Sequence, residues 1–281
     1  MNYDLTSIAK RLRIKVIEMS NKARTPHLGS SLSCVDIVVA AYWGGLNIDP
    51  SLANDPGRDR FILSKGHAAT TLYAALWMKG LIGDSDLASY ARPGARLPEH
   101  PVLRSAPGIE ATTGSLGHGL GIGCGIALAG RIQRQDYRAL VVLSDGECNE
   151  GSVWEAALFA PAHHLENLAV VIDCNGWQAT GRSFQVTSLE PLRAKWETFG
   201  WSAHEVDGHN IGALTEFFQR VPDGSGKPVV VVARTVKGKG VSFMEDDNNW
   251  HYRIPNDQEV AQAIRELAES PETGSANPRY A

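Results

Sequence analysis

The sequence predicts an α/β fold, a doubly wound and mostly parallel sheet with helices on both faces. Short apolar segments rich in β-branched residues alternate with longer segments of helical periodicity along most of the 281 residues. Two of the short segments, 140–143 and 170–172, are followed within three residues by Asp145–Gly146 and by Asn175–Gly176. Such runs are typical of buried parallel strands, and ligands bind beyond the carboxyl ends of strands in these sheets.

The other elements follow the same alternation. Apolar residues recur at helical spacing over residues 4–22, which predicts an amphipathic helix packed on the body of the protein. Residues 34–43 are almost wholly apolar, which predicts a helix buried between layers. Irregular loops are expected over 91–107 and 176–187. Further strands are predicted over 60–64, 201–206 and 228–235, and further helices over 117–133, 153–163, 188–199 (capped by Ser188), 211–221 and 257–268.

Composition excludes several classes of protein. A net charge of −4 without a basic cluster argues against nucleic acid or an anionic membrane as a main partner. No stretch approaches 18 uninterrupted apolar residues, so no membrane span is expected. Four scattered cysteines without a C-x-x-C pair are typical of reduced thiols, which predicts a cytoplasmic protein.

One domain is expected over residues 1–269, because neither an internal repeat nor a linker interrupts the alternation of strands and helices. Residues 270–281 are rich in Pro, Ser and Gly and predict a flexible tail.

Asp145 and Asn175 are candidate metal ligands at the ends of adjacent strands. A carboxylate and an amide oxygen suit a Mg²⁺ ion that also holds a diphosphate, and Gly146 lets the backbone approach an anion. Each residue alone is better interpreted as the cap of the following turn or helix. The spacing favours the ligand hypothesis, because the 28 residues of the interval 147–174 hold one helix and one strand.

Several histidines occupy strand ends and loops. His67 lies in the first turn of a helix that follows a strand, where an anion is favoured. Glu99–His100 lies in the long loop 91–107, and long loops in compact domains tend to be functional. His27, taken alone, is better interpreted as the hydrogen-bonding partner of a loop carbonyl.

The glycines at positions 119, 121, 123 and 125 suggest a dinucleotide-binding fingerprint only weakly. No apolar strand precedes them, and no acidic residue ends a strand about twenty residues later. Small residues here are better explained by close packing against a neighbouring helix or subunit.

Five segments resemble transketolase in sequence, order and separation: residues 63–68, 112–117, 144–147, 150–155 and 237–245. The resemblance covers nearly the whole chain. It is to the N-terminal, diphosphate-binding third of a full-length transketolase, which occurs as a separate chain in split, two-subunit enzymes. The interval from Ser144 to Asn175 resembles the thiamine diphosphate motif, with Ser144 in place of its first glycine.

The resemblance implies transfer of a two-carbon ketol unit from a ketose, expected to be a phosphate, to an aldose through thiamine diphosphate. It assigns Mg²⁺, with Ca²⁺ or Mn²⁺ as substitutes, to Asp145, Asn175 and the main-chain carbonyl of Trp177. The catalytic set that it implies comprises His27, His67, His100, His251 and Glu150, the last matching a glutamate that communicates across the subunit interface. The cofactor contacts that it implies are His67, Gly114, Leu116, Asp145, Gly146, Glu147, Asn175 and His251.

Two residues depart from the family pattern: Glu99 replaces a usual glycine, and His118 stands where many members have glutamine. The resemblance also implies a partner, a C-terminal subunit with the pyrimidine-binding and C-terminal domains, in an α₂β₂ assembly. That partner would supply the glutamate that contacts the aminopyrimidine, since no second α/β domain is expected in this chain.

Two other hypotheses stay open at the level of sequence. The thiamine-dependent subunit of 2-oxo acid dehydrogenases shares the fold, but it usually has a paired Asn-Asn where this chain has Cys174–Asn175. It also lacks the Lys65–Gly66–His67 and 237–240 signatures. A non-catalytic scaffold protein is the third hypothesis, and cofactor binding distinguishes it from the enzymes.

Overall fold

Five strands form one sheet in the computed structural model, which describes residues 4–269. All four strand pairings are parallel, and the spatial order is β1-β2-β3-β5-β4. The predicted parallel sheet is confirmed. The strands are β1 (Arg60–Leu63), β2 (Ala139–Ser144), β3 (Leu168–Cys174), β4 (Ser202–Asp207) and β5 (Val229–Arg234).

Helices cover both faces of the sheet, as the doubly wound architecture requires. The α-helices are α1 (Leu5–Ala23), α2 (Leu28–Ser33), α3 (Val35–Ala40), α4 (Ala69–Met78), α5 (Asp84–Ala88), α6 (His118–Ile132), α7 (Gly151–Ala162), α8 (Ser183–Val186), α9 (Leu192–Thr198), α10 (Ile211–Gln219) and α11 (Asp257–Glu269). No helix in this part of the chain combines the length and apolarity needed to cross a bilayer.

The two faces of the sheet bury two separate apolar cores. Along β2, Leu140 and Val142 join the core that includes α1 to α4, α10 and α11. The alternate residues Val141 and Leu143 join the core that includes α6, α7 and α9. Because successive side chains of a strand point to opposite faces, a sheet covered on both sides needs a continuous apolar run.

The apolar helix predicted over 34–43 is shorter in the structure. Helix α3 ends at Ala40 and continues as a π-helical turn over Ala41–Gly45. Helix α10 approaches this turn so closely that a Cβ atom on Gly45 would lie 2.4 Å from the Cβ atom of Phe218. Residues 35–40 are all buried within this chain, as the sequence predicted.

Two predictions for residues 176–199 are wrong in part. The expected loop over 176–187 contains the short helix α8, and the helix expected from Ser188 begins only at Leu192. Proline disfavours the helical conformation in the residue before it, so the helix starts after Pro191 and Ser188 does not cap it. The tail predicted over 270–281 lies outside the described residues.

Candidate active site

The carboxyl ends of four adjacent strands place the predicted ligands at one edge of the sheet. Strand β2 ends at Ser144 in register with Asp173 of β3, so Asp145 and Asn175 follow neighbouring strands. Strand β1 leads into Lys65 on one side, and β5 leads to Lys237 on the other. All of these side chains except Ser144 (8% exposed) are at most 4% exposed.

Asp145 has one carboxylate oxygen in use and one without a partner. Its Oδ2 atom accepts hydrogen bonds from Ser183 Oγ at 2.6 Å and from the Gly176 amide at 3.1 Å. Its Oδ1 atom is buried and has no hydrogen-bond partner among the described residues. Burial, reinforced by the nearby Asp173 carboxylate, raises the pKa of Asp145 to about 6. A cation on Oδ1 would relieve both the lost hydration and the repulsion.

Asn175 and Trp177 complete the predicted metal set. The Asn175 Oδ1 atom accepts the Trp177 amide at 3.0 Å, and Nδ2 lies 3.4 Å from Ser33 Oγ. Within residues 4–269, no three His, Cys, Asp or Glu side chains are arranged to hold a metal ion. A site with one carboxylate and neutral oxygens is the type that binds Mg²⁺ together with the phosphates of a ligand.

A buried ion pair lies between the strand ends. Lys65 Nζ forms a salt bridge with Asp173, and both side chains are fully buried. Asp173 also accepts hydrogen bonds from Ser33 Oγ at 2.6 Å and from the Thr235 hydroxyl. Burial alone would lower the pKa of Lys65, but the Asp173 carboxylate outweighs it and the pKa is raised. Lys65 therefore stays charged beside Asp145, which fixes a positive charge at the site.

The four predicted histidines form one cluster around His27. Its ring centroid lies 4.9 Å from that of His251, 5.4 Å from that of His67 and 6.1 Å from that of His100. The backbone joins part of the cluster, because the His27 amide donates to the His251 carbonyl at 2.8 Å. The structure thus brings together side chains that are up to 224 positions apart in the sequence.

Three of these histidines are neutral at physiological pH. Burial, with His100 and Lys237 nearby, lowers the pKa of His27 to about 4. Burial and the Lys237 ammonium lower the pKa of His251 to about 3. Burial and Lys65 hold the pKa of His67 well below its usual range. A neutral imidazole both donates and accepts hydrogen bonds, which suits contacts to hydroxyl groups and proton relay.

Lys237 sets the tautomer of His251. Its Nζ atom donates to Asn248 Oδ1 at 2.7 Å and lies 3.2 Å from His251 Nδ1. An ammonium group has no acceptor, so His251 Nδ1 accepts and the ring proton sits on Nε2. Burial, with Lys65 nearby, lowers the pKa of Lys237 to about 8, and the group remains mostly charged near pH 7.

These lowered pKa values predict a loss of stability in mild acid. An unfolded histidine binds a proton near pH 6.5, whereas folded His27 does so only near pH 4. Between these values the unfolded state binds more protons, so the free energy of unfolding falls as pH falls. His27 contributes up to about 1.4 kcal/mol per pH unit in that window.

The His27→Asn variant tests this contribution, because asparagine tolerates the left-handed backbone at this position (φ 69°). We expect the stability difference between wild type and variant to shift in favour of the variant between pH 6.5 and about pH 4.5. Chemical denaturation at several pH values measures it, and a difference that does not change with pH would contradict the neutral, buried state of His27.

Glycine positions let the loop over 112–117 approach the cluster. Gly114 has φ +130°, and a Cβ atom there would lie 2.8 Å from the His100 ring. Gly66, just before His67, packs on the same loop, since its Cβ would meet the Gly114 amide at 2.6 Å. Leu116 is exposed to an intermediate or greater degree nearby only in part of its loop, whereas both glycines lie in direct backbone contact at the site.

Glu147 has a different environment from that of the other predicted cofactor contacts. Its Oε1 atom accepts hydrogen bonds from Ser64 Oγ at 2.5 Å and from the Gly117 amide at 2.9 Å. Its Oε2 atom accepts the Ser144 amide at 3.3 Å. The carboxylate thus ties the ends of β1 and β2 to the start of α6, and a contact to cofactor through its side chain stays a prediction.

Glu150 is exposed at the start of α7, where its side chain lies against Gly117. His118 is also exposed, with Nδ1 3.1 Å from the Leu116 carbonyl. Glu99 brings a carboxylate oxygen to 3.8 Å from His27 Nδ1. His209, a weaker candidate in the sequence, has both ring nitrogens in use: Nδ1 contacts Asp36 at 2.7 Å, and Nε2 accepts the Val236 amide at 2.8 Å.

Sequence reasoning missed several residues that shape the site. Lys65 and Lys237 lie within motifs that were noted, but their positive charge beside the carboxylates was not used. Ser183, which holds Asp145, lies in a segment predicted as a loop, so no signal marked it.

Four buried polar atoms without partners in the described chain lie at or beside this edge: His27 Nδ1, Thr113 Oγ1, Asp145 Oδ1 and Gln178 Nε2. Thr113 adjoins Gly66, and Gln178 packs on Gly146. Buried polar groups are rarely left unsatisfied, so this concentration marks a ligand site.

The fold and the site together define an α/β protein whose parallel strands end in a diphosphate- and cation-binding edge. Residues 5–278 match the family described as transketolase, thiamine diphosphate binding domain. The chain therefore belongs to the transketolase family, which decides against the 2-oxo acid dehydrogenase hypothesis.

Named relatives agree with this family. One of the two subunits of an apulose-4-phosphate transketolase from Phocaeicola vulgatus is 36% identical over 93% of this chain and 92% of its own length. A 6-deoxy-6-sulfo-D-fructose transketolase subunit from a Clostridium species is 37% identical over 94% of this chain and 96% of its own length. The enzyme class, a transketolase-type transferase, follows from these relatives.

Solved transketolases share the fold over a longer chain. The transketolase from Pichia stipitis in complex with sedoheptulose 7-phosphate is 27% identical, with a TM-score of 0.84 over 99% of this chain. This chain spans 43% of that protein.

Proposed function

We propose that this chain is the diphosphate- and Mg²⁺-binding subunit of a two-subunit transketolase, with thiamine diphosphate bound at the edge formed by Asp145, Asn175 and the histidine cluster. The observation that carries the proposal is the buried, unpartnered Asp145 Oδ1 atom beside three neutral histidines. A protein without a ligand here would leave a buried carboxylate oxygen unsatisfied.

The residues present fit a magnesium diphosphate. Asp145 Oδ1, the Asn175 amide oxygen and the Trp177 carbonyl would hold the ion, with the remaining ligands supplied by phosphate oxygens and water. Lys65 and Lys237 add positive charge at the same edge, and this charge favours a bound polyanion. Gly146 brings the backbone near the anion, because its position admits a Cβ only at 3.0 Å from Gln178.

Bound thiamine diphosphate supplies the carbanion chemistry that moves a two-carbon ketol unit from a ketose to an aldose. The chain's own part is binding, orientation and proton transfer. His251 presents an Nε2–H donor, because Lys237 occupies its Nδ1 atom. His27, His67 and His100 surround it at ring distances that allow several hydroxyl groups of one sugar to be held at once.

The proposed substrate class is a ketose with an anionic group at the end remote from the carbonyl. The names of the two relatives specify a sugar phosphate and a sulfonated sugar, respectively. Between these, a phosphate is proposed here, because the family acts on the same ketol unit in either case and phosphate esters are the commoner form. The histidine cluster recognises hydroxyl groups, so the anionic end is assigned to the partner subunit.

The surface of α6 and α7 supports a partner subunit. Alternate glycines of α6 divide their roles: a Cβ on Gly119 or Gly123 would meet Ser64 or Val141 within 2.4 Å, whereas Gly121 and Gly125 have nothing within 4 Å in the described chain. Exposed apolar side chains flank these open positions: Ile122, Leu158 and Phe159. An apolar surface next to open backbone suits a closely packed helix from another chain.

The partner that we propose carries the pyrimidine-binding and C-terminal domains in an α₂β₂ assembly. Glu150, exposed at the start of α7 beside α6, is placed to reach such a partner. An obligate interface of this kind buries more than about 2,000 Å².

Ketol transfer by the chain alone and with its partner tests the proposal. We expect the isolated chain, saturated with cofactor and Mg²⁺, to show no turnover above background, because the group that contacts the aminopyrimidine comes from the partner. Addition of the partner subunit, sought in the neighbouring gene product, should restore turnover. Equal turnover in both samples would contradict the half-enzyme proposal, and binding of cofactor without turnover in the mixture would support the scaffold hypothesis.

We further propose a cytoplasmic location and a single domain over residues 1–269. Cys34, Cys124, Cys148 and Cys174 are all buried and unpaired, which agrees with a reducing compartment. The two apolar cores share one sheet, which agrees with one folding unit.

A further inference from the structure

Two loops meet at the candidate site, and each carries part of it. Loop 175–183 contains Asn175, the Trp177 carbonyl and Ser183, which holds Asp145. Loop 237–251 contains Lys237, Asn248 and His251. The first loop serves the proposed metal, and the second serves the histidine cluster.

Three side chains join these loops. Asp246 accepts two hydrogen bonds from the Arg182 guanidinium, at 2.6 and 2.7 Å, in a bidentate ion pair. The Trp177 indole N–H donates to the same carboxylate at 2.8 Å. The Arg182 guanidinium carbon lies 3.7 Å from the centre of the Trp177 ring, so cation and ring stack. We refer to Trp177, Arg182 and Asp246 as the clasp.

The backbone geometry transmits the clasp to the site. Trp177 and Arg182 pair as an antiparallel bridge, so a fixed Arg182 also fixes the peptide that carries the proposed metal-binding carbonyl. In the other loop, the Asp246 amide donates to the Lys237 carbonyl at 2.8 Å. Asn248 adds a second link, since its Nδ2 atom donates to the Ala179 carbonyl at 3.1 Å and its Oδ1 atom accepts from Lys237.

We propose that the clasp positions the Trp177 carbonyl for Mg²⁺ and couples metal binding to the placement of Lys237 and His251. This inference rests on the proposed thiamine diphosphate function and adds positioning residues to it. Both partners of the ion pair are partly buried, with Arg182 29% and Asp246 26% exposed, so solvent screens the pair less than an ordinary surface pair. Bidentate geometry adds orientation that a single hydrogen bond lacks.

Asp246→Asn and Arg182→Gln test the clasp with little other change. Asparagine suits the left-handed backbone of residue 246 (φ 59°) and keeps the size of the side chain. Residues that orient metal ligands typically cost about 10- to 100-fold in metal affinity when replaced, and we expect a loss of this order in Mg²⁺ affinity with thiamine diphosphate present. Trp177→Phe keeps the carbonyl and loses only the indole donor, so its loss should be smaller.

The double variant distinguishes a clasp from two independent effects. Because Arg182 and Asp246 act through one contact, the double variant should bind Mg²⁺ no worse than the weaker single variant. Glu197→Gln, which breaks the i,i+4 ion pair Arg193–Glu197 on α9, is the matched control and should bind as wild type does. Melting temperatures without ligand should stay within a few degrees of wild type in all variants.

Isothermal titration of the full chain with Mg²⁺ at saturating thiamine diphosphate gives these affinities. Wild-type binding with unchanged affinity in both single variants would overturn the clasp and leave the proposed function intact. Losses that add in the double variant would also overturn it, because they would mean separate effects. Absence of binding by the wild type would instead refute the proposed function.

Discussion

Asp145→Asn is expected to lose at least about 100-fold in affinity for thiamine diphosphate in the presence of Mg²⁺. The substitution removes the only carboxylate of the proposed metal set, and loss of a direct ligand should cost at least as much as loss of a residue that orients one. Titration calorimetry with fixed Mg²⁺ measures the change.

The same variant should be at least as stable as the wild type without ligand. Burial and Asp173 raise the pKa of Asp145 to about 6, so at pH 7 the folded protein holds an ionised carboxylate that folding disfavours. An amide removes that charge and keeps an oxygen for Ser183 and Gly176. Asp207→Asn, at the end of the edge strand β4, is the matched control and should bind cofactor normally. A destabilised Asp145→Asn variant with normal affinity would reverse both expectations.

His100→Ala and His251→Ala are expected to lower turnover about 10²- to 10⁴-fold each, in the presence of the partner subunit. Loss of a positioned proton relay or hydroxyl contact has effects of this size. The His251 ring also receives the Lys237 hydrogen bond, but Lys237 retains Asn248 after truncation, so its charge is not left without a partner.

Melting temperatures should barely change in these two variants, because both side chains lie outside the two apolar cores. His204→Ala, exposed on the edge strand β4, provides the matched control and should retain wild-type turnover. If both active-site variants kept full turnover in the reconstituted complex, the assignment of the histidines to catalysis would be wrong.

The sequence predicted the sheet and its ligand edge because both depend on local patterns. Continuous apolar runs that end in Asp145 and Asn175 specify buried parallel strands and the polar groups beyond them. The histidines were found through the family resemblance, since each of them alone has an ordinary structural explanation. Their common location became visible only in the structure, where the His27 ring centroid lies within 6.1 Å of the other three.

Contacts between distant loops could not be predicted from local patterns. Arg182 and Asp246 are 64 positions apart and lie in segments without periodicity, so nothing in the sequence pairs them. The unsatisfied Asp145 Oδ1 atom is also a property of the folded surroundings, since Ser183 occupies Oδ2 and the described chain offers the other oxygen no donor. The proline effect at residue 191 was predictable, and the late start of α9 shows that it outweighs a favourable cap at Ser188.

Titration of the wild-type chain with thiamine diphosphate, with Mg²⁺ and with excess EDTA, tests the central claim most directly. The account predicts saturable binding of one cofactor per chain with Mg²⁺, in the chain or in its complex with the partner, and loss of that binding in EDTA. Binding of equal affinity in both solutions would contradict the metal assignment to Asp145, Asn175 and Trp177. Absence of binding in both would contradict the thiamine diphosphate site itself.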